Sequence, residues 1–161
     1  MSTKYDDAKT EIWDLSELCS SLDDPVIEQT FDSAKKQAKA FEATYKGNLS
    51  GLSAAALATA YQELEQLLEP LYKVGQYLSL RKSIETQNSQ IKALNARLDD
   101  VYSSISNSTV FFSLEVAQFS KEQFDALKKE ECIKNYIYSI EHDIKTAAYN
   151  LSEAEEKIVS I

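Results

Sequence analysis

The scarcity of turn-forming residues constrains the fold of this chain more than any other feature of its sequence. The 161 residues include three glycines and two prolines. A sheet protein needs a turn about every 8–12 residues, and glycine and proline supply many of those turns. The hydrophobic fraction of 43% is high enough for a buried core. The sequence therefore predicts an all-α fold, a helical bundle of about five or six helices with no sheet.

Three long segments carry apolar residues at the spacing of helices with one buried face. The first predicted helix begins at Pro25, has Asp24 as its N-cap and ends at Lys46–Gly47. The second predicted helix extends from about residue 53 to 81, and the third from about residue 89 to 118. We expect their apolar stripes to meet in one core that includes Phe31/Phe41, Leu64/Leu68 and Leu94/Leu98/Ile105.

Pro70 lies inside the apolar pattern of the second predicted helix. A proline within a helix removes one backbone hydrogen bond, and its ring collides with the carbonyl of the preceding turn. The sequence therefore predicts a kink or a break in this helix between Gln66 and Pro70.

Two capping boxes mark the starts of shorter helices near the C-terminus. Ser120–Gln123 predicts one short helix, and Ser152–Glu155 predicts another. Between them, the spacing of five apolar residues predicts a further helix that contains Ile133, Tyr136, Ile137, Ile140 and Ile144. The chain ends at Ile161, soon after the second capping box, and we interpret this as a sign that it is truncated.

The length of the chain is that of a single domain. Residues 1–23 are predicted to form an irregular lead-in segment whose apolar anchors are Trp13, Leu15 and Leu18. Residues 24–161 are predicted to form one helical domain.

The charge of the chain bears on its partners. Its 26 acidic and 17 basic residues give a net charge of −9. Such a surface repels phosphate groups, so we expect neither nucleic acid nor an anionic membrane to be a partner.

No apolar run reaches the roughly 18 residues of a membrane span, and no signal peptide is recognisable. With only two cysteines, Cys19 and Cys132, which are too few for a disulfide framework, the sequence predicts a cytoplasmic protein.

A complete catalytic site is not recognisable in the sequence. Zinc sites of the H-E-x-x-H type need two histidines on one helix face, whereas this chain has one histidine, His142. That histidine lies between Glu141 and Asp143, in a segment that is typical of a solvated helix face. The three glycines are isolated, so no glycine-rich phosphate loop is present. We predict no catalytic, cofactor-binding or metal-binding residues in this chain.

Three segments of the chain resemble a known enzyme family. They are WDLSELCSSLDDPVI (Trp13–Ile27), YKGNLSGLSAAALATAYQELEQLLEPLYKVGQYLSLR (Tyr45–Arg81) and YNLSEAEEKIVS (Tyr149–Ser160). Together they resemble the N-terminal region of the oligoendopeptidase F family of zinc metallopeptidases. Cys19 is a small departure, since an aromatic residue is expected there in the family.

The resemblance implies an N-terminal helical lobe of a larger enzyme that hydrolyses short peptides. In that family, the zinc ligands and the catalytic glutamate lie in a C-terminal lobe, and the N-terminal helices shape a deep substrate channel. The implied partners are therefore the catalytic lobe of the same polypeptide and short peptide substrates, and zinc is expected only in the intact enzyme. The alternative from the helical pattern alone is a free-standing interaction or scaffold module.

The later part of the third predicted helix carries apolar residues on two sides. Val110, Phe111 and Leu114 form one stripe, and Phe112, Val116 and Phe119 form the other. One stripe is enough for the domain's own core. We therefore predict that one of the two, with Val110, Phe111 and Leu114 as first candidates, lies in an interface or is covered by a terminal segment.

Overall fold

A computed structural model describes residues 14–159 of the chain. These residues contain six α-helices: α1 (Pro25–Tyr45), α2 (Ala54–Ile84), α3 (Ser89–Val116), α4 (Lys121–Leu127), α5 (Ile137–Thr146) and α6 (Glu153–Val159). Three short 3-10 helices, Leu49–Gly51, Glu131–Tyr136 and Ala147–Tyr149, lie between them. Residues 14–159 include no β-strand. The predicted all-α bundle is therefore confirmed.

The helix starts are marked by side chains that accept hydrogen bonds from the free backbone N–H groups of the first turn. The Asp24 carboxylate accepts a hydrogen bond from the Val26 backbone N–H at 2.9 Å, and Ser53 caps α2 in the same way. At α4, Ser120 and Gln123 each accept from the backbone N–H of the other, which completes the predicted capping box. These bonds are local in sequence, and for this reason the predicted starts agree with the structure.

Of the kink or break predicted near Pro70, the break is wrong, because α2 continues through this residue, and the kink stays a prediction. Pro70 lies on the exposed side of the helix, whereas Leu67, Leu71 and Val74 are buried. Burial of each such side chain contributes about 1.5–3 kcal/mol. An internal proline costs about 3 kcal/mol. The packing of the buried side therefore outweighs the lost backbone hydrogen bond.

The core consists of two clusters, where the sequence predicted one. The first lies between the first half of α1, the second half of α2 and the first half of α3, and it contains Phe31, Leu71 and Leu98. The second lies at the opposite ends of the same helices and contains Phe41. Elements from the C-terminal part enlarge only this second cluster, to which they add the fully buried Ile133 and Ile140. The sequence did not reveal this division because the two clusters share the same helix stripes.

The lead-in segment is irregular where the structure describes it, from residue 14 onward. Leu15, Leu18 and Leu22 of this segment pack against the first core cluster. Trp13, the third predicted anchor, lies outside the described residues.

The helix predicted around Ile133–Ile144 occurs as two pieces. The 3-10 helix Glu131–Tyr136 leads directly into α5. Ile133 and Ile140, one from each piece, are both fully buried. The predicted apolar face is therefore present, although the hydrogen-bond pattern changes within it.

Candidate functional site

An open cleft of about 470 Å³ lies between the start of α2 and the short helix α4. Leu49, Leu57 and Phe119 line it and are themselves buried. Ser53, Gln123 and other polar side chains also line the cleft. Ligand pockets of proteins typically combine an apolar floor with a few polar groups in volumes of about 300–1,000 Å³. The cleft therefore has the size and lining to bind a small apolar group.

Gln123 holds the two walls of this cleft together. Its side-chain oxygen accepts from the Ser120 backbone N–H at 2.8 Å, as part of the capping box. Its side-chain nitrogen donates to the Ser50 carbonyl at 3.2 Å. A residue that the sequence assigns only to a helix cap therefore also joins α4 to the segment before α2. The capping box predicted the first bond, but no sequence signal indicated the second.

The two cysteines lie in different environments. Cys132 is exposed and lines the cleft. Cys19 is buried, and burial raises the pKa of its thiol, as does the nearby Asp24 carboxylate. A buried thiol with a raised pKa is a poor nucleophile, since the thiolate is the reactive form. Cys19 is thus a packing residue.

His142 lies exposed on α5, next to the half-buried Asp143. Among residues 14–159, no group of three or more histidine, cysteine, aspartate or glutamate side chains is placed to hold a metal ion. That the chain has no catalytic or metal-binding residue stays a prediction.

The three predicted interface residues occupy different positions around α3. Phe111 is buried, with only 2% of its surface exposed, and belongs to the second core cluster. Val110 and Leu114 are half-buried. In the other stripe, Phe112, Val116 and Phe119 are all buried. The helix α6 packs against α3, and the residues at its start lie beside Leu114.

Glu115 joins α3 to the turn that follows α1. Its carboxylate accepts from the Gly47 backbone N–H at 2.6 Å and from the Leu49 backbone N–H at 3.4 Å. Gly47 has a φ of 80°, a backbone conformation that favours glycine. Glu115 therefore holds the connection that leads to the cleft, although it is far from that connection in sequence.

We expect Glu115→Ala to lower the free energy of unfolding by about 1–3 kcal/mol, because it leaves two backbone donors without their charged acceptor. Glu115→Gln should cost less, since the amide oxygen still accepts one bond. Urea denaturation measures both values. Glu69→Ala, which removes an exposed carboxylate on α2, is the control and should change stability by under about 0.5 kcal/mol. Equal effects of Glu115→Ala and Glu69→Ala would contradict the anchoring role.

Tyr61 carries a buried polar group without a partner. Its ring stacks on Tyr136 with a centroid separation of 4.6 Å and lies nearly perpendicular to the ring of Phe112, with a centroid separation of 4.8 Å. Within the described part of the chain, its hydroxyl has no hydrogen-bond partner. Burial and, to a smaller extent, the Asp143 carboxylate raise the pKa of Tyr61 well above its usual value. Burial also raises the pKa of Asp143 from 3.8, and only His142 opposes this shift.

The raised pKa of Asp143 predicts a pH dependence of stability. A carboxyl group that binds its proton more tightly in the folded state stabilises the fold below the unfolded pKa, near 3.8. This contribution is lost as the pH rises through the folded pKa. Asp143→Asn should therefore raise the melting temperature at pH 7 and change it much less at pH 3.5.

Thermal denaturation followed by circular dichroism at the two pH values tests this prediction. Asp100→Asn, which changes an exposed aspartate on α3, is the matched control and should have little effect at either pH. A melting temperature that falls at pH 7 in Asp143→Asn would show that the charged carboxylate is stabilising, contrary to the expectation.

Comparisons of the chain with models of known protein families, with curated proteins and with solved structures give no match. Within residues 14–159, no helix is both long and apolar enough to cross a membrane.

Proposed function

We propose that this chain is the N-terminal helical lobe of a zinc metallopeptidase of the oligoendopeptidase F type, and that it shapes the channel for short peptide substrates. The proposal rests first on the three segments of sequence that resemble this family. Its cytoplasmic location is part of the same proposal.

One contact supports the proposal most directly. The resembling segments Tyr45–Arg81 and Tyr149–Ser160 are far apart in sequence, yet they meet in space. Lys46 of the former donates to the Glu153 carboxylate of the latter at 2.5 Å. Both side chains of this contact therefore belong to segments that resemble the same family.

The cleft supports a role in shaping a binding surface. All the residues on one side of it, from Leu49 to Leu57, belong to the resembling segment Tyr45–Arg81. Its buried leucines give this wall an apolar surface, and α4 provides the opposite wall. A wall of packed helices limits which substrates fit and excludes water from them, while the reacting groups come from elsewhere.

Zinc, in the intact enzyme, would polarise the peptide carbonyl and activate a water molecule. The described residues offer no set of ligands for such an ion. We therefore assign no step of hydrolysis to this chain, and its proposed contribution is the shape of the channel.

The complete reading frame provides the decisive test. We expect it to continue beyond Ile161 and to contain an H-E-x-x-H sequence. The protein expressed from it should bind zinc in stoichiometric amount and cleave short unfolded peptides, and a chelator should abolish the cleavage. The 161-residue chain expressed alone should cleave none of them. A stop codon directly after Ile161, or an extended protein without peptidase activity, would favour the free-standing interaction module instead.

A further inference from the structure

The last helix, α6, lies on α3, although none of its side chains is fully buried. It has seven residues, Glu153–Val159, and none of them is buried. Ile158 and Val159 are 69% and 70% exposed, so these two apolar side chains contribute little to the attachment. The segment 150–153, at the start of α6, lies beside the half-buried Leu114 of α3. The attachment of α6 thus differs from that of the long helices, whose apolar faces are buried.

The seam between α6 and α3 is incompletely packed. An open pocket of about 410 Å³ lies between Leu114 and Gln118 of α3 and the segment 150–153. Solvent, not protein, fills this space, so the segment 150–153 makes fewer dispersion contacts with α3 than a close-packed element would make.

An ion pair joins α6 to the end of α1. The Lys46 ammonium lies 2.5 Å from the Glu153 carboxylate and 3.1 Å from the Glu42 carboxylate. All three side chains are about one-third exposed. Exposed ion pairs contribute little to stability, and salt screens them. Such a contact can hold a segment in place and still release it.

We infer that α6, with the residues just before it, is a displaceable strap over Leu114 of α3, which the Lys46–Glu153 ion pair holds closed. Opening moves α6 away from α3 while the two core clusters stay folded, because no side chain of α6 belongs to either cluster. The inference does not depend on the proposed peptidase function.

Thiol labelling measures the opening directly. The reference protein is the full chain with Cys132→Ser, which removes the exposed thiol, and Leu114→Cys, which places a thiol beneath the strap. We expect this thiol to react with a soluble disulfide reagent about two to five times faster when Lys46→Met or Glu153→Gln is added. This increase corresponds to the free energy that one exposed ion pair contributes. In the reference protein, 0.5 M sodium chloride should accelerate labelling in the same way and should have little effect on the Lys46→Met variant.

Three controls separate strap opening from other effects. Lys73→Met removes an ion pair within α2 and should leave the labelling rate unchanged. Glu42→Gln removes the other partner of Lys46 but leaves Glu153, and its effect should be smaller than that of Glu153→Gln. Cys19 is buried in the first core cluster and should remain unlabelled throughout. If Leu114→Cys does not fold, Ala117→Cys places the thiol at another buried position beside the segment 150–153.

Two results would overturn the inference. One is a labelling rate that neither Lys46→Met, nor Glu153→Gln, nor salt changes, because the ion pair would then not control access. The other is labelling of Cys19 at the same rate as the introduced thiol, because opening would then be unfolding of the whole domain.

Discussion

Replacement of Phe41 by alanine is expected to lower the free energy of unfolding by about 3–5 kcal/mol. Phe41 is only 4% exposed. Its ring lies 4.8 Å from the ring of Tyr45, 5.5 Å from that of Phe112 and 6.0 Å from that of Phe111. Alanine would remove the centre of this aromatic group, so both the transfer free energy and the ring contacts would be lost.

Urea denaturation followed by circular dichroism measures this loss. Tyr72→Ala is the matched control, because it also removes an aromatic ring but from a side chain that is 60% exposed. We expect the control to change stability by less than about 1 kcal/mol. A loss below about 1 kcal/mol for Phe41→Ala would mean that the second core cluster is not packed as described.

Leu98→Ala should have the second largest effect, a loss of about 2–5 kcal/mol from the first core cluster. Leu98 is 5% exposed and faces Gly75 across the α2–α3 contact. A methyl group at Gly75 would lie 3.4 Å from the Leu98 Cδ2 atom and 3.4 Å from the Tyr102 hydroxyl oxygen. Leu98→Ala therefore opens a cavity directly beside Gly75.

Gly75→Ala can partly fill that cavity, so the double variant tests the contact between Gly75 and Leu98. Alone, Gly75→Ala should be neutral or stabilise the protein by up to about 1 kcal/mol, since glycine inside a helix is unfavourable. Combined with Leu98→Ala, it should recover more stability than the two single effects predict. Combined with Phe41→Ala, which lies in the other cluster, its effect on the free energy of unfolding should be additive. Additive behaviour in both combinations would show that Gly75 and Leu98 are not in contact.

Local signals in the sequence predicted the individual helices well. Asp24 and Ser120 cap the helices that they were expected to cap. The apolar stripes predicted the buried faces of α1 and α3, whereas on α2 the predicted Leu64 and Leu68 are half-buried and Leu67 and Leu71 are fully buried. These features depend on residues within a few positions of one another, so a single stretch of sequence contains the information that they need.

The connections around the cleft could not be predicted in this way. Gln123 donates to the Ser50 carbonyl, and Glu115 accepts from the backbone of Gly47 and Leu49. Each of these bonds joins residues that are more than 60 positions apart. Polar side chains at such positions look like ordinary surface residues in the sequence, because nothing nearby marks their distant partners.

Pro70 is a residue at which the local sequence signal and the tertiary structure disagree. The sequence by itself determined that this chain is helical, where most helices begin and which residues face inward, because those properties follow from local hydrogen bonds and from apolar periodicity. The tertiary structure alone decided that α2 passes through Pro70 unbroken, that the core divides into two clusters and that α6 lies on α3. These outcomes depend on the packing free energy of several helices together, which no local segment of the chain specifies.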